Sequence, residues 1–396
     1  MATHTTTVFH RPELARRLAE QVLYAPPSSA SSSGLFLAAP RRTGKSTFMR
    51  EDLRPALEAA GALVVYADLW ENRKADPGAV IVAALRSALA PHEGVVTRLA
   101  RSAGLDGVKV GGLSFSLDRV GLGREVSLVQ ALVALSDEIG RPIVLIIDEA
   151  QHAISTEAGS DALFALKAAR DELNSSRHHG LRVVATGSNQ DKLAMLRASK
   201  EQAFFGAPLV KFPPLGRDYI EWFCSHLQLA TPLAPDAVFE LFQQASHRPE
   251  ILGAAADMLR FDFELQAADV RQRFAAEVQV QIDAANQDLL QVVHSLTPLQ
   301  SAVLRVLAAC GAGYAPFEAA TLAMYRAALQ AAGADPEVRA DVPGVQQALS
   351  ALQDKSLVWK AARGVYALED TTLADLLTRQ GLLEGLADGS AAPGSR

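Results

Sequence analysis

The sequence predicts an α/β protein, with a parallel β-sheet covered by helices on both faces, followed by a helical domain and a small domain ending in a β-hairpin. Short apolar runs alternate with amphipathic stretches over residues 1–212, which is typical of parallel strands joined by helical crossovers. Strand-like runs then stop until residues 356–368. With 396 residues, the chain is long enough for two or three domains.

Composition narrows the class of protein. Hydrophobic residues make up 49% of the chain and charged residues 21%, which is enough for large cores, and the net charge of −6 does not favour a nucleic-acid or membrane binder. Cys224 and Cys310 are far apart and show no metal-ligand spacing, so we expect reduced thiols. No apolar run is long enough for a membrane span, and no export signal is evident. We therefore expect a cytoplasmic protein with no membrane partner.

The elements of the first part follow from apolar periodicity. The apolar, β-rich runs that predict strands cover residues 35–38, 62–67, 142–147 and 181–186. The stretches with helical periodicity cover residues 11–24, 77–89, 128–139 and 161–173. A Gly-Gly pair at residues 111–112 predicts a surface hairpin over residues 108–117.

Helices dominate the second part. Helical patterns at residues 219–227, 235–245, 249–261 and 270–287 predict a helical domain over residues 213–290. Three further helices at 299–309, 319–330 and 345–352, closed by strands at 356–360 and 365–368, predict a winged helix over residues 291–380. The small residues of the segment 381–396 predict a disordered tail.

One loop between the first strand and a helix is typical of phosphate binding. Its residues are Ala39, Pro40, Arg41, Arg42, Thr43, Gly44, Lys45, Ser46 and Thr47. Backbone N–H groups of such a loop surround the phosphates of a nucleotide, Lys45 neutralises their charge, and the Ser46 hydroxyl reaches Mg²⁺. The pattern G-x-x-x-x-G-K-[ST] has Gly where this chain has Ala39, and Gly tolerates backbone angles that Ala resists.

A second signal stands about 100 residues later, where an apolar strand ends in two adjacent carboxylates, Asp148 and Glu149. Like charges at the end of a buried strand lower the stability of the fold, so we interpret the pair as binding a cation and a water. We expect Asp148 to hold Mg²⁺ and Glu149 to deprotonate the attacking water. The alternative is an acidic helix N-terminus that complements the helix dipole.

These motifs resemble the Walker A and Walker B motifs of the additional-strand, Asp-Glu P-loop ATPases, which include the AAA+ proteins and the signal-transduction (STAND) and archaeal-type ATPases. The resemblance implies ATP and Mg²⁺ as ligands and ATP hydrolysis as the activity. The strand at residues 181–186 is similar to the sensor-1 strand of this group, which makes Ser188 and Asn189 alternative contacts for the γ-phosphate. A simple polar turn is the other interpretation of this segment.

Within this resemblance, residues 213–290 correspond to the helical lid. Arg248, before Pro249, is either a candidate sensor-2 cation or a surface side chain with no role, and His247 stands where the family has Gly. Members often carry an arginine finger beside the Gly that corresponds to Gly206, and this chain has Ala207 there. Arg197 and Lys200 are alternative fingers. Near the N-terminus, Phe9 and Arg11 either contact the adenine or pack in the core.

The sequence leaves two classes of target for the predicted winged helix, duplex DNA and a protein. Gln346, Gln347, Ser350 and Gln353 on the predicted recognition helix suit base edges, and Lys360 and Arg363 on the wing suit phosphates. Against duplex DNA, this part of the chain has more acidic than basic residues. The sequence therefore predicts an ATP-driven switch that acts on DNA, or one that binds a protein partner or a second copy of itself.

Overall fold

The computed structural model describes residues 8–24, 26, 29–72, 75–92, 115–116, 126–175, 177–362, 364–369, 372–384 and 386. The described residues fall into two compact units. The first lies within Met1–His226 and Ala234–Pro249, and the second within Leu227–Leu233 and Glu250–Arg396. The predicted boundaries of the three domains stay a prediction.

A five-stranded parallel sheet forms the centre of the first unit. Its strands are β1 (Leu35–Ala38), β2 (Leu63–Asp68), β3 (Ile143–Asp148), β4 (Leu181–Gly187) and β5 (Leu209–Lys211). Their spatial order is β2-β3-β4-β1-β5. Strand β4 is therefore inserted between β1, which leads into the phosphate loop, and β3, which ends in Asp148. All the strands are parallel, so their carboxyl ends meet at one edge of the sheet.

Alternate residues of β1 to β4 enter two separate cores, one on each face of the sheet. On β1, Phe36 packs in one core and Leu37 in the other. Strand β3 is buried along its whole length, which explains its continuous apolar sequence. The predicted two-sided α/β fold is confirmed.

The helices of the first unit cover both faces. They are α1 (Pro12–Leu23), α2 (Lys45–Phe48), α3 (Arg54–Ala59), α4 (Pro77–Leu89), α5 (Leu128–Ile139), α6 (Glu157–Leu173), α7 (Gln190–Met195), α8 (Arg217–His226) and α9 (Pro235–Gln244). Side chains of Asp76, Ser127 and Thr156 cap the N-termini of α4, α5 and α6. A π-helical turn, Met49–Leu53, joins α2 to α3.

The second unit is mainly helical. Its helices are α10 (Pro249–Arg260, whose first residue belongs to the first unit), α11 (Val270–His294), α12 (Pro298–Cys310), α13 (Ala319–Ala331), α14 (Val342–Asp354) and α15 (Thr372–Arg379). Strands β6 (Val358–Ala362) and β7 (Val365–Leu368) form an antiparallel hairpin after α14. The predicted order of three helices and a hairpin is present, and α15 was not predicted.

Three sequence predictions need correction or restriction. Of the predicted hairpin over residues 108–117, only Phe115–Ser116 lies among the described residues, and it pairs in parallel with Val126–Ser127. Arg363 and residues 387–396 also lie outside the described part of the chain. Within that part, none of the helices combines the length and the apolar character needed to cross a membrane.

Candidate functional site

The predicted phosphate loop, residues 39–47, joins β1 to α2 at the carboxyl edge of the sheet. Two residues of the loop have left-handed backbone angles, Arg42 with φ +62° and Gly44 with φ +81°. The Thr43 hydroxyl donates to the Pro40 carbonyl at 2.8 Å and closes the turn. Lys45, the first residue of α2, is only 5% exposed. The loop thus presents a buried cation at the start of a helix.

Ala39 fits its position without strain. It is not among the residues with positive φ, so its backbone does not require glycine. Its amide donates to the Gly187 carbonyl at 3.2 Å, and its side chain is buried in the core on the α1 side of the sheet. The backbone at residue 39 therefore does not need the conformational freedom of the Gly that the pattern has at this position.

Lys45 meets both predicted carboxylates across more than 100 residues of sequence. Its Nζ lies 2.6 Å from Glu149 Oε1 and 3.7 Å from Asp148 Oδ1. The three side chains are 5%, 15% and 1% exposed, so the charges are largely shielded from solvent. Such a cluster is stable only because its positive and negative members compensate each other.

Asp148 is held by hydroxyl donors from the two neighbouring strands. The Tyr66 hydroxyl on β2 donates to its Oδ2 at 2.8 Å, and the Thr186 hydroxyl on β4 donates to its Oδ1. Burial raises the pKa of Asp148, but the charge of Lys45 and the hydroxyl donors outweigh burial, so the pKa lies below its ordinary value. The carboxylate is therefore fixed in its ionised form.

Glu149 occupies a strained backbone position with φ +54°, which is uncommon for a residue with a side chain. Its Oε2 accepts hydrogen bonds from Ser188 Oγ at 2.9 Å and from Gln151 Nε2. Burial raises the pKa of Glu149, but Lys45 outweighs burial with help from these donors and lowers the pKa overall.

The two sensor-1 candidates occupy different places. Ser188 faces the cluster, since its hydroxyl contacts Glu149 and lies 3.4 Å from Arg41 Nε. The Asn189 side chain accepts a hydrogen bond from the Lys192 amide at 2.9 Å and caps α7. Of the two, Ser188 has its side chain against Glu149, and the assignment of the γ-phosphate contact stays a prediction.

The donor set suits Mg²⁺. The Ser46 side chain lies near enough to Asp148 to help lower the pKa of that carboxyl group, so a hydroxyl and a carboxylate are close together. Mg²⁺ prefers oxygen ligands and keeps several waters, so one or two protein oxygens beside substrate phosphates suffice. No cluster of three or more His, Cys, Asp or Glu side chains that could hold a metal occurs among the described residues.

The remaining loop residues lie towards solvent. Pro40, Arg41, Arg42 and Thr47 are exposed. The Arg41 guanidinium lies 5.0 Å from the centre of the Trp70 ring, which in turn stacks on His152 at 4.4 Å. These contacts place Trp70 and His152 beside the phosphate loop, where the sequence assigned neither a role.

The predicted lid segment reaches the loop through Leu215. A Cβ at Gly44 would lie 3.6 Å from Leu215 Cδ1, and the His247 ring donates to the Leu215 carbonyl at 3.0 Å. Ser246 and His247 have φ +56° and +55°, a left-handed conformation that glycine adopts more readily than residues with a side chain. Arg248 follows directly, so the segment that carries it contacts a neighbour of the phosphate loop.

The N-terminal candidates pack within the first unit. Phe9 contacts the rings of Tyr219 and Trp222 at 5.5 and 5.6 Å. The Arg11 guanidinium donates to the Pro213 carbonyl at 2.8 Å and lies over the Phe212 ring. Of the two finger candidates, Arg197 is half-buried and Lys200 is exposed. Their role as arginine fingers stays a prediction.

Sequence reasoning missed three contributors to the site: Tyr66, Thr186 and Gln151. Thr186 is fully buried at the end of an apolar strand, and a buried hydroxyl there is a signal for a hydrogen-bond partner. Gln151 follows the two carboxylates in the chain, but its contact with Glu149 depends on how the turn after β3 folds back. Tyr66 gives no signal in the sequence because its contact depends on strand register.

Solved structures identify the fold. A Walker-type ATPase of Pyrococcus abyssi matches with a TM-score of 0.52 and 18% identity over 93% of this chain and 96% of that one. The ORC2 protein of Aeropyrum pernix in its ADP form matches with a TM-score of 0.57 and 15% identity over 99% and 98%. The ADPNP–ADP complexes of ORC2 give 0.52 and 16% over 98% of each chain.

No family model matches the sequence, and no curated protein matches it. The likeness therefore lies in the fold, at identities too low to transfer an activity. The strand order, with β4 between the two motif strands, agrees with the additional-strand class inferred from the sequence. The chain has the fold of the origin-recognition-like P-loop ATPases.

Proposed function

We propose that the chain binds ATP with Mg²⁺ and hydrolyses it, and that this cycle operates a conformational switch. The observation that carries the proposal is the buried cluster of Lys45, Asp148 and Glu149, with Nζ 2.6 Å and 3.7 Å from the two carboxylates. Folding brings a cation and two carboxylates from distant parts of the chain to one sheet edge, beside a helix N-terminus. That arrangement suits a triphosphate and its metal ion.

Each side chain has a part in this proposal. The loop backbone and Lys45 bind the phosphates, Ser46 and Asp148 hold Mg²⁺, and Glu149 takes a proton from the attacking water. Ser188 contacts the γ-phosphate. Bound Mg²⁺ would neutralise charge on the phosphate oxygens. The solved relatives in the ADP and ADPNP–ADP forms support nucleotide binding by this fold.

Nucleotide binding and phosphate release test the proposal. We expect Lys45→Ala to abolish ATP binding, and Glu149→Gln to bind ATP with little change and to lose hydrolysis. Lys167→Ala is the matched control, because Lys167 also lies 3.7 Å from a carboxylate, that of Asp171, but on the surface. Wild-type hydrolysis in Glu149→Gln would refute the assignment of the base.

A second part of the proposal concerns the target. We propose duplex DNA, contacted by α14, because Gln346, Gln347 and Ser350 are exposed there. Gln346 also reaches the Tyr366 hydroxyl at 3.4 Å, which ties the helix to the following hairpin. The acidic balance of this unit supports the alternative of a protein partner.

A mobility-shift experiment with duplex DNA, with and without ATP, separates the two targets. Phosphate contacts are strongest at low salt, so binding there is expected to weaken as salt rises. A Gln346→Ala, Gln347→Ala double variant should bind less tightly than the wild type. Absence of any shift at low salt would remove DNA as the target and leave the protein-binding switch.

A further inference from the structure

Gln151 is a buried amide beside the carboxylate of Glu149. It is 4% exposed and lies in the 3₁₀ turn Ala150–Ser155 that follows β3. Its Nε2 donates to Glu149 Oε2 and lies 3.2 Å from Ser188 Oγ. Ser188 donates to the same Oε2 at 2.9 Å. Two donors from different elements therefore hold one oxygen of Glu149.

Gly187 provides the space for this amide. A Cβ at Gly187 would lie 2.1 Å from Gln151 Oε1 and 2.8 Å from Leu193 Cγ, distances that real structures do not tolerate. Any side chain at residue 187 would displace the Gln151 amide. The strand that carries Ser188 thus also shapes the position of Gln151.

The two oxygens of Glu149 have different partners. Oε1 contacts the Lys45 ammonium at 2.6 Å, whereas Oε2 contacts Gln151 and Ser188. If the phosphates of a nucleotide recruit Lys45, Oε1 is released and Oε2 stays held. Only Oε1 then becomes available to accept a proton, and the hydrogen bonds to Oε2 set the direction in which Oε1 points.

We propose that Gln151 is a positioning residue, which fixes the Glu149 carboxylate so that Oε1 acts as the general base once Lys45 turns to the phosphates. This inference rests on the proposed ATPase function. Orientation of a reacting group to within about 1 Å is worth up to about 100-fold in rate. Gln151 would contribute to turnover and not to nucleotide affinity.

The competing explanation is that Gln151 only fills space in the core. A substitution that removes the amide but keeps the shape of the side chain separates the two explanations. Gln151 Oε1 is buried and accepts no hydrogen bond from the described residues. Methionine has nearly the same shape, lacks the donor, and does not bury an unpaired carbonyl oxygen. Gln151→Met therefore keeps the packing and the stability while it removes the hydrogen bond to Glu149.

The experiment measures kcat and KM for ATP hydrolysis, nucleotide affinity and the thermal midpoint for Gln151→Met. We expect kcat to fall about 10- to 100-fold, with affinity and midpoint close to those of the wild type. In the Glu149→Gln background, the same substitution should have almost no further effect, because residues that act as a unit are not additive. Gln130→Met is the control, since Gln130 also makes a side-chain hydrogen bond, to the Ser127 amide at 3.1 Å, away from the site.

Two results would overturn the inference: a wild-type kcat in Gln151→Met, or a fall in kcat matched by losses of affinity and thermal midpoint. Failure of the proposed function looks different. In that case the wild-type protein hydrolyses no ATP, or Glu149→Gln hydrolyses it as fast as the wild type. If Glu149→Gln is inactive and Gln151→Met is not impaired, only the positioning role is wrong.

Discussion

Lys45 should stabilise the folded protein even without nucleotide, and Lys45→Met tests this. Methionine keeps most of the apolar stem and removes only the charge. It leaves the carboxylates of Asp148 and Glu149, 1% and 15% exposed, next to each other with no cation. Removal of one partner from a buried ionic cluster costs about 3–5 kcal/mol. For a unit of roughly 150–250 residues this lowers Tm by about 6–20 °C.

The assay is thermal unfolding followed by tryptophan fluorescence, without nucleotide. Trp70 and Trp222 belong to the first unit and Trp359 to the second, so a Trp359→Phe background reports the first unit alone. The double variant Lys45→Met, Glu149→Gln should recover most of the lost stability, because Tyr66 and Thr186 still hold the remaining carboxylate.

Lys167→Met is the control, because an exposed pair contributes about 0–1 kcal/mol. A Lys45→Met variant that melts no lower than Lys167→Met would refute the reasoning. It would mean that the two carboxylates accommodate the loss of the cation by protonation or by movement into water.

Two further predictions concern the backbone. Ser246 is exposed at φ +56°, so Ser246→Gly should leave the free energy of unfolding equal or up to about 1 kcal/mol higher, while Ser246→Val should lower it by about 1–2 kcal/mol. Urea unfolding measures both, and a Val variant as stable as the Gly variant would contradict the argument. Gly159→Ala places a Cβ 2.2 Å from a backbone carbonyl oxygen and should lower the free energy of unfolding by at least about 1–3 kcal/mol. Gly253→Ala meets no atom within 4 Å and should raise it by up to about 1 kcal/mol. Equal unfolding midpoints for the two variants would be inconsistent with the packing.

The motif positions were predictable because they depend on local chemistry. A strand, a glycine with positive φ and a helix that begins at Lys45 form one continuous segment, and the apolar run before Asp148 is long enough to identify β3. Strand β5 was missed because it has only three residues, and two of them are exposed, so it shows no apolar pattern. Helix α7, with six residues, is too short for a periodic signal.

The contacts of Asp148 were not predictable. Tyr66 reaches it because β2 and β3 pair in a register that sets Asp68 opposite Asp148, and Thr186 reaches it because β4 is the next strand. Neither the register nor the order of strands is encoded in the spacing of motifs along the chain. The sequence left Ser188 and Asn189 as alternatives for the same reason, since both follow one strand. Only the fold shows that Ser188 contacts Glu149 and that Asn189 caps α7.

The sequence alone determined the chemical types at the site: a lysine after a glycine, and two carboxylates after a buried strand. It also determined the α/β class, because the spacing of apolar residues and the positions of turn residues are local features of the sequence. The tertiary structure decided which groups meet. Insertion of β4 between β1 and β3 brings Ser188 and Thr186 to the carboxylates, and the bare Gly187 leaves room for Gln151. Those contacts join residues far apart in the chain, and only the folded sheet brings them within hydrogen-bond distance.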